Sequence, residues 1–333
     1  GSIDGANAEL ITVETDLSPG LPNMTIVGLP DISVREARER IRVALDNGGY
    51  RFPSRRITVN LSPADTRKEG THFDLPIAVG IMAAAGDVCP DAAMRYAFIG
   101  ELSLDGRVNP VQGAIALAIG LRNEGVERLI LPAGNKNEVS TLSDIEIYPV
   151  EHISQVEAHL SGFSPMNAYK AHPLQPSLLR HNSEGDFADV AGQESVKRAL
   201  QVAAAAAHNI LMIGPPGAGK TMMARRLPGI MLPMSYEECL EVRKIYSLAG
   251  QLPHDAGLIT ERPFRSPHHT ISPIALAGGG SKPRPGEISL AHFGVLFLDE
   301  FPEFQRKALE VLRQPLEDEK ITIARAAATV TYP

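Results

Sequence analysis

Apolar residues recur at spacings of three and four along residues 31–47. Val34, Ala37, Ile41 and Ala44 fall on one face, which predicts a helix. Ser33 and Glu36 stand at capping-box spacing near its start, and Gly48-Gly49 closes it. Residues 56–61 alternate instead, with Ile57, Val59 and Leu61 apolar, the period of a half-buried strand. Residues 75–85 are apolar almost throughout and read as a buried helix. Strands are expected at 10–14, 24–27, 98–104, 128–131 and 145–150, with Asp105-Gly106 as a hairpin turn, and helices at 114–123 and 152–160. This alternation predicts an α/β domain over residues 1–160.

The period fades over 161–183, where Pro165, Pro173 and Pro176 stand among Ser, His and Asn, the composition of a linker. A second domain is expected over 184–333. It holds an alanine-rich helix at 193–207, a short apolar strand at 210–213, a glycine loop, a helix from about Lys220, and another apolar strand at 295–298. No internal repeat is visible.

Composition narrows the function classes. Of 333 residues, 44% are hydrophobic and 21% charged, the mix of a globular chain. No apolar run approaches the ~18 residues of a membrane span, since 75–85 is short and contains Pro76. The first residues lack a basic segment followed by an apolar core, so no leader is read there. Two cysteines, Cys89 and Cys239, are too few for a disulfide framework or a four-cysteine zinc site. A cytoplasmic protein that does not enter membranes is the expectation. The net charge is −7. The first 170 residues carry 22 acidic and 15 basic side chains and the remainder 17 of each, so any DNA contact is expected from local basic loops in the second half.

The chemistry lies in that half. Gly214, Pro215, Pro216, Gly217, Ala218, Gly219, Lys220 and Thr221 fit the phosphate-loop pattern G-x-x-x-x-G-K-[ST]. Its glycines let backbone N–H groups point at phosphate oxygens, and the following helix adds a positive dipole end. Lys220 is expected on the β- and γ-phosphates, Thr221 on Mg²⁺, and Met222 beside the nucleotide. Residues 295–298 end in Asp299-Glu300, where strand ends meet a phosphate loop. Asp299 is expected to hold Mg²⁺ through water and Glu300 to orient or deprotonate the attacking water, which points to hydrolysis of ATP. Asp189-Val190-Ala191-Gly192-Gln193 stands where ring-forming ATPases cradle adenine, so Val190 and Gly192 are candidate cofactor contacts. Between Lys220 and Asp299 an insertion carries His268-His269 and a basic glycine-rich run, 278–286, whose Lys282 and Arg284 are candidate DNA contacts. Adjacent histidines rarely face one way, and no carboxylate or cysteine cluster surrounds these, so a metal site there is not expected.

At these residues the chain resembles the ComM/YifB family of magnesium-chelatase-like AAA+ ATPases, over essentially its whole length. The resemblance rests on Ile26-Val27-Gly28-Leu29-Pro30, Val34-Arg35-Glu36-Ala37, Asn60-Leu61-Ser62-Pro63-Ala64-Asp65 and Phe73-Asp74-Leu75-Pro76-Ile77-Ala78 in the first half. In the second it rests on Pro263-Phe264-Arg265, His268-His269-Thr270, 283–289 and 298–304. It implies a Lon-protease-like N-terminal domain (ribosomal protein S5 domain 2-like) and an AAA+ module that assembles into a hexamer. It implies an ATP-driven branch-migration helicase acting on single-stranded or branched DNA in natural transformation. Two other readings fit the ATPase core: a chelatase-type motor remodelling a protein client, and a nucleotide-dependent assembly scaffold.

Lon-type proteolysis needs a serine and a lysine. Ungapped alignment puts His72 and Ile115 at those places, so an inactive protease scaffold is expected. In the family, a sensor-1 strand, a cysteine-rich zinc insert, an arginine finger and a lid follow the Asp-Glu strand. This chain ends at Pro333. The resemblance therefore implies a C-terminally truncated module that hydrolyses ATP weakly by itself.

Overall fold

The structure, a computed structural model, describes residues 1–5, 7–169, 185–252, 258–280, 283–324 and 329–333. Of these, 1–169 belong to one compact unit, and those within 185–251 and 258–333 to another.

The first unit opens with a hairpin of β1 (Ser2–Asp4) and β2 (Asn7–Glu9). A three-stranded sheet follows, of β3 (Thr12–Ser18), β4 (Asn23–Val27) and β5 (Arg56–Ser62). Its order is β3-β5-β4, with β5 antiparallel to β3 and parallel to β4, so the chain crosses over through α1 (Ile32–Asn47). The expected apolar face of α1 is the buried one, and the alternation of β5 buries Ile57, Val59 and Leu61. Each such side chain stabilises the core by roughly 1.5–3 kcal/mol.

The cap of α1 differs from the expectation. Asp31, not Ser33, closes it: Val34 N–H donates to Asp31 Oδ1 at 2.8 Å. Ser33 lies inside the first turn, where its hydroxyl donates to the same oxygen at 2.7 Å and accepts from Gly70 N–H. Asp31 wins because it stands immediately before the first helical residue and offers a carboxylate to the free N–H groups.

α2 (Asp74–Ala85) is apolar on all sides and is accordingly buried, packed on β3 and α1. Gly80 permits that approach, since a Cβ there would lie 2.6 Å from Thr15 Oγ1. After α3 (Pro90–Ala93), the strand expected at 98–104 is two pieces in different sheets: β6 (Ala97–Phe98) and β7 (Glu101–Leu102), the latter paired with β8 (Val108–Asn109). Gly100 interrupts it by turning to the start of α2, where its N–H donates to His72 O and its carbonyl accepts from Leu75 N–H. Next come α4 (Ala114–Asn123), β9 (Arg128–Pro132), α5 (Lys136–Val139), β10 (Glu146–Val150) and α6 (Ile153–Leu160). β10, β9 and β6 form a parallel sheet in that order. The first part of the expected linker folds back on this unit, with Met166 N–H donating to His159 Nδ1 and Tyr169 N–H to Ile147 O. Residues 170–184 lie outside the described residues.

Asp74 ties three elements together. Its side chain is wholly buried and accepts from Arg40 Nε at 2.9 Å, Arg40 Nη2 at 3.0 Å and Leu102 N–H at 3.2 Å. Burial raises its pKa, although Arg40 opposes that shift. Asp74→Ala strands the guanidinium and a buried N–H. It is expected to lower the unfolding free energy by about 3 kcal/mol, the low end for a broken buried pair because Arg40 is partly exposed, measurable as a fall in the urea midpoint.

The second unit contains α7 (Glu194–Ala206), α8 (Lys220–Ile230), α9 (Tyr236–Ala249), β11 (Phe264–Arg265), α10 (Pro273–Ala277), β12 (Gly278–Gly279), β13 (Arg284–Pro285) and α11 (Glu287–Leu290). β14 (Val295–Leu296), α12 (Arg306–Val311), α13 (Arg313–Asp318), β15 (Ile321–Ala324) and β16 (Thr329–Tyr332) complete it. β11 and β14 are parallel, whereas β12-β13 and β15-β16 are antiparallel.

Two expected strands are corrected. Residues 210–213 enter no ladder among the described residues, and Leu211 and Ile213 are 72% and 89% exposed. An apolar run becomes a strand only beside a hydrogen-bonding neighbour. The strand expected at 295–298 shrinks to β14. Phe297 N–H still donates to Arg265 O, but the next ladder bond would come from residue 267, and Pro267 has no N–H. Among the described residues, no helix is long and apolar enough to cross a membrane.

Candidate functional site

The loop 214–219 runs into α8, and its shape requires glycine. Gly217 and Gly219 have φ of +80° and +82°, a left-handed region that other residues enter only with strain. Gly219 is the cap of α8, with no side-chain bond there, so the first N–H groups of the helix are free to meet an anion. Lys220 Nζ bridges the loop by donating to Gly214 O at 2.9 Å and Pro215 O at 3.1 Å. Gln193, itself at φ +57°, donates from Nε2 to Ala218 O at 2.9 Å and ties the start of α7 to the loop.

A cavity of about 270 Å³ adjoins Lys220. Gln193, Val196, Met212, Ile213, Ala218 and Met223 are among its lining residues. Its mostly apolar wall suits a flat aromatic base next to a phosphate loop. Val190 and Gly192 do not line it. Val190 is buried against Phe187, Leu200 and Met223, and Gly192 adopts φ +71° in the turn before Gln193. Of the segment expected to cradle adenine it is Gln193 that lines the cavity, joined by Val196, for which the apolar spacing of Val196, Ala199 and Leu200 on α7 was a signal. Met222 is 39% exposed one residue past Thr221.

β14 leads to Asp299 and Glu300. Thr221 Oγ1 donates to Asp299 Oδ2 at 2.9 Å, joining residues 78 apart, and Glu300 N–H donates to Asp299 Oδ1 at 3.0 Å. This places a hydroxyl and a carboxylate oxygen together at the head of α8. Both are hard oxygen donors, the kind Mg²⁺ selects, so the pair fits that ion. Glu300 sits at φ +53°, a strained backbone for a non-glycine residue, and its side chain is 65% exposed. Its Oε2 lies 3.2 Å from His269 Nδ1.

Arg265 anchors the neighbouring strand by a two-pronged contact with Glu287, Nε to Oε2 at 2.6 Å and Nη2 to Oε1 at 2.7 Å. That bond to Glu287 raises the arginine pKa against the opposing effect of burial. Arg284 is exposed on β13, while Lys282 lies outside the described residues. Among the described residues, no group of three or more His, Cys, Asp or Glu is placed to hold a metal ion.

In the first unit, His72 and Ile115 are both buried. The imidazole Nε2 donates to Gly1 O at 2.8 Å, and burial pulls its pKa down to about 3. Ile115 offers no side-chain polar atom, and its N–H donates to Glu138 Oε1.

Comparison with known proteins adds to this geometry. Residues 186–333 match the family model described as magnesium chelatase, subunit ChlI, and residues 13–135 match that of subunit ChlI of Mg-chelatase. The chain is 45% identical over 333 residues to an uncharacterized protein YifB of Salmonella typhimurium, covering 99% of this chain and 64% of that one. It is 44% identical over 336 residues to the competence protein ComM of Haemophilus influenzae, with the same coverage. It is also 27% identical to the Lon protease of Rhizobium meliloti over 163 residues, which is 45% of this chain and 20% of that one. The chain thus spans just under two thirds of the length of YifB and ComM.

Proposed function

The chain belongs to the ComM/YifB family of magnesium-chelatase-like AAA+ proteins, and from that premise we propose that it is part of an ATP-driven, ring-forming motor that acts on DNA. The observation that carries the ATPase reading is the bond between Thr221 and Asp299 at the head of α8. It joins, across 78 residues, the two sequence motifs on which the ATPase reading rests. Thr221 and Asp299 would hold Mg²⁺, which when bound neutralises charge developing on the phosphates. Lys220 and the N–H groups of 217–221 bind the phosphate chain. The apolar wall beside Gln193 and Val196 takes the adenine. Glu300 orients the attacking water and accepts its proton.

DNA as the substrate is supported by exposed Arg284 in the basic insertion, and a part in competence by the relative's name, competence protein ComM. Function as a homohexamer, with exposed Arg284 in contact with DNA, belongs to the same reading; the other candidate contact, Lys282, lies outside the described residues. The first domain is proposed to be inactive as a peptidase, because buried His72 brings no serine hydroxyl and Ile115 no amine to take its proton.

The test is the ATPase rate of the full-length protein with and without single-stranded and forked DNA. Stimulation of roughly 10-fold, weakening as salt rises, is expected of a motor that grips phosphates. A robust rate indifferent to every DNA overturns the DNA reading. It favours a protein client instead, a reading that the match to magnesium-chelatase subunit models also supports.

A further inference from the structure

The first 170 residues are acidic in sum, yet the fold gathers a basic corner among them. Strand order builds it. Because β5 lies between β3 and β4, the connection from β3 to β4 must cross the end of β5. Its two flanks, Ser18 and Asn23, both lie opposite Arg56 in the register. Residues 19–22 therefore span about 10 Å, two strand spacings, over the start of β5. A Cβ on Gly20 would lie 3.8 Å from Arg56 Cβ. Pro19 and Pro22 stiffen the connection by fixing φ on either side, and Leu21 between them is 88% exposed. The loop after α1 arrives at the same corner and is anchored from below. Tyr50 N–H donates to Leu45 O at 2.9 Å, Phe52 N–H to Asp46 Oδ1 at 3.2 Å, and both rings pack on the core. Arg51, Arg55 and Arg56 are left exposed, and none of them forms an ion pair among the described residues. Arg38, Arg107 and Arg128, on the same unit, each face a carboxylate instead.

We propose that this corner is a second DNA contact, one that grips a duplex where it branches. The inference rests on the reading of DNA as the substrate. Guanidiniums without a carboxylate partner are free to pair with phosphates, whose oxygens match their planar fork. The evenly spaced charge of a phosphate backbone meets all three arginines without a matched surface, which a protein partner would have to supply. The acid on the rest of the unit is screened beyond roughly 8 Å at physiological salt. Leu21 adds what an electrostatic patch lacks. A stiff apolar tip beside cations is the arrangement with which proteins wedge open a base step, and a fork is where stacking is already interrupted.

The test is fluorescence anisotropy of labelled single-stranded and forked DNA with the full-length protein, repeated across a salt titration. Arg51→Ser, Arg55→Ser and Arg56→Ser together are expected to flatten the slope of log affinity against log salt by about 2–3 and to weaken fork binding by about 10²-fold near physiological salt. Arg51→Lys, Arg55→Lys and Arg56→Lys keep the slope, because the charge remains. Arg38→Ser, Arg107→Ser and Arg128→Ser together, which remove as much charge from arginines already facing carboxylates, change it by less than about 1. Leu21→Ser leaves the slope alone and abolishes the rise in fluorescence of an adenine analogue placed at the fork, the signature of an opened step. A wild-type slope in the first triple variant overturns the inference, and altered sedimentation of that variant would then mark the corner as a protein contact. An equal loss in the Arg38, Arg107 and Arg128 variant also overturns it, since net charge alone would account for the effect. An undiminished analogue signal in Leu21→Ser overturns the wedge. If the wild-type protein binds neither DNA, the DNA reading fails instead, and the inference falls with it.

Discussion

Glu300→Gln is expected to lower kcat for ATP hydrolysis by about 10²–10⁴-fold, the worth of a positioned general base, while nucleotide affinity stays within a few-fold. The asymmetry follows from where Glu300 stands. Its side chain is largely exposed, and its carboxylate contacts His269 rather than Lys220 or the loop 214–219. Asp299 holds the local backbone by accepting from Glu300 N–H, and an amide side chain at 300 does not disturb that bond. Glutamine keeps the size and one acceptor but cannot take a proton, so binding survives and the chemical step does not. Isothermal titration with ATP and Mg²⁺, followed by single-turnover hydrolysis, separates the two. Loss of affinity equal to the loss of kcat would show that Glu300 holds the nucleotide rather than its water. The same variant tests the scaffold reading: a protein that uses ATP only to fix an assembly keeps its function when hydrolysis stops, and a motor does not.

Helix α1 and strand β5 were legible because their apolar periods coincide with real buried faces. The cap of α1 was not, because Asp31 and Ser33 are both good capping residues and only the helix start decides between them. The run 210–213 shows the limit of local reading. Its residues favour a strand, but a ladder is a property of two segments, and none of the described residues supplies the second. The same reasoning explains the short β14, whose end is dictated by Pro267 on a different segment.

The site divides along the same line. The loop 214–221 is contiguous and announces itself through glycine and lysine spacing, and Asp299 through an apolar run ending in two carboxylates. Gln193 and His269 reach the site from other segments, so their contacts depend on tertiary geometry. His269 stands beyond the end of the two-residue pair β11/β14, so no sequence period announces its contact with Glu300. The insertion between α8 and β14 was therefore visible as extra length but not as the segment that touches Glu300.

Lys220→Ala is expected to weaken ATP binding by about 10²–10³-fold with almost no loss of fold stability. In this structure the ammonium donates to Gly214 O and Pro215 O and so spans the place where phosphates belong. Both carbonyls lie on an exposed loop, where water replaces the lost donor at little cost. With ATP present, the ammonium exchanges neutral carbonyls for charged phosphate oxygens. Each charge-assisted bond is worth roughly 1.5–3 kcal/mol. Two of them, less the carbonyl bonds given up, leave about 3–4 kcal/mol, which is the stated loss in affinity. Lys220→Arg tests the geometry behind the charge. The planar guanidinium keeps the positive charge but presents its donors in a fixed fork rather than as a compact point charge, so most of the loss should persist. A thermal shift assay reads both effects at once: the variants should melt with wild type in buffer and fail to gain the stabilisation that ATP and Mg²⁺ give it. If Lys220→Ala instead melts early without ligand, the lysine holds the loop together, and its contribution to nucleotide binding is indirect.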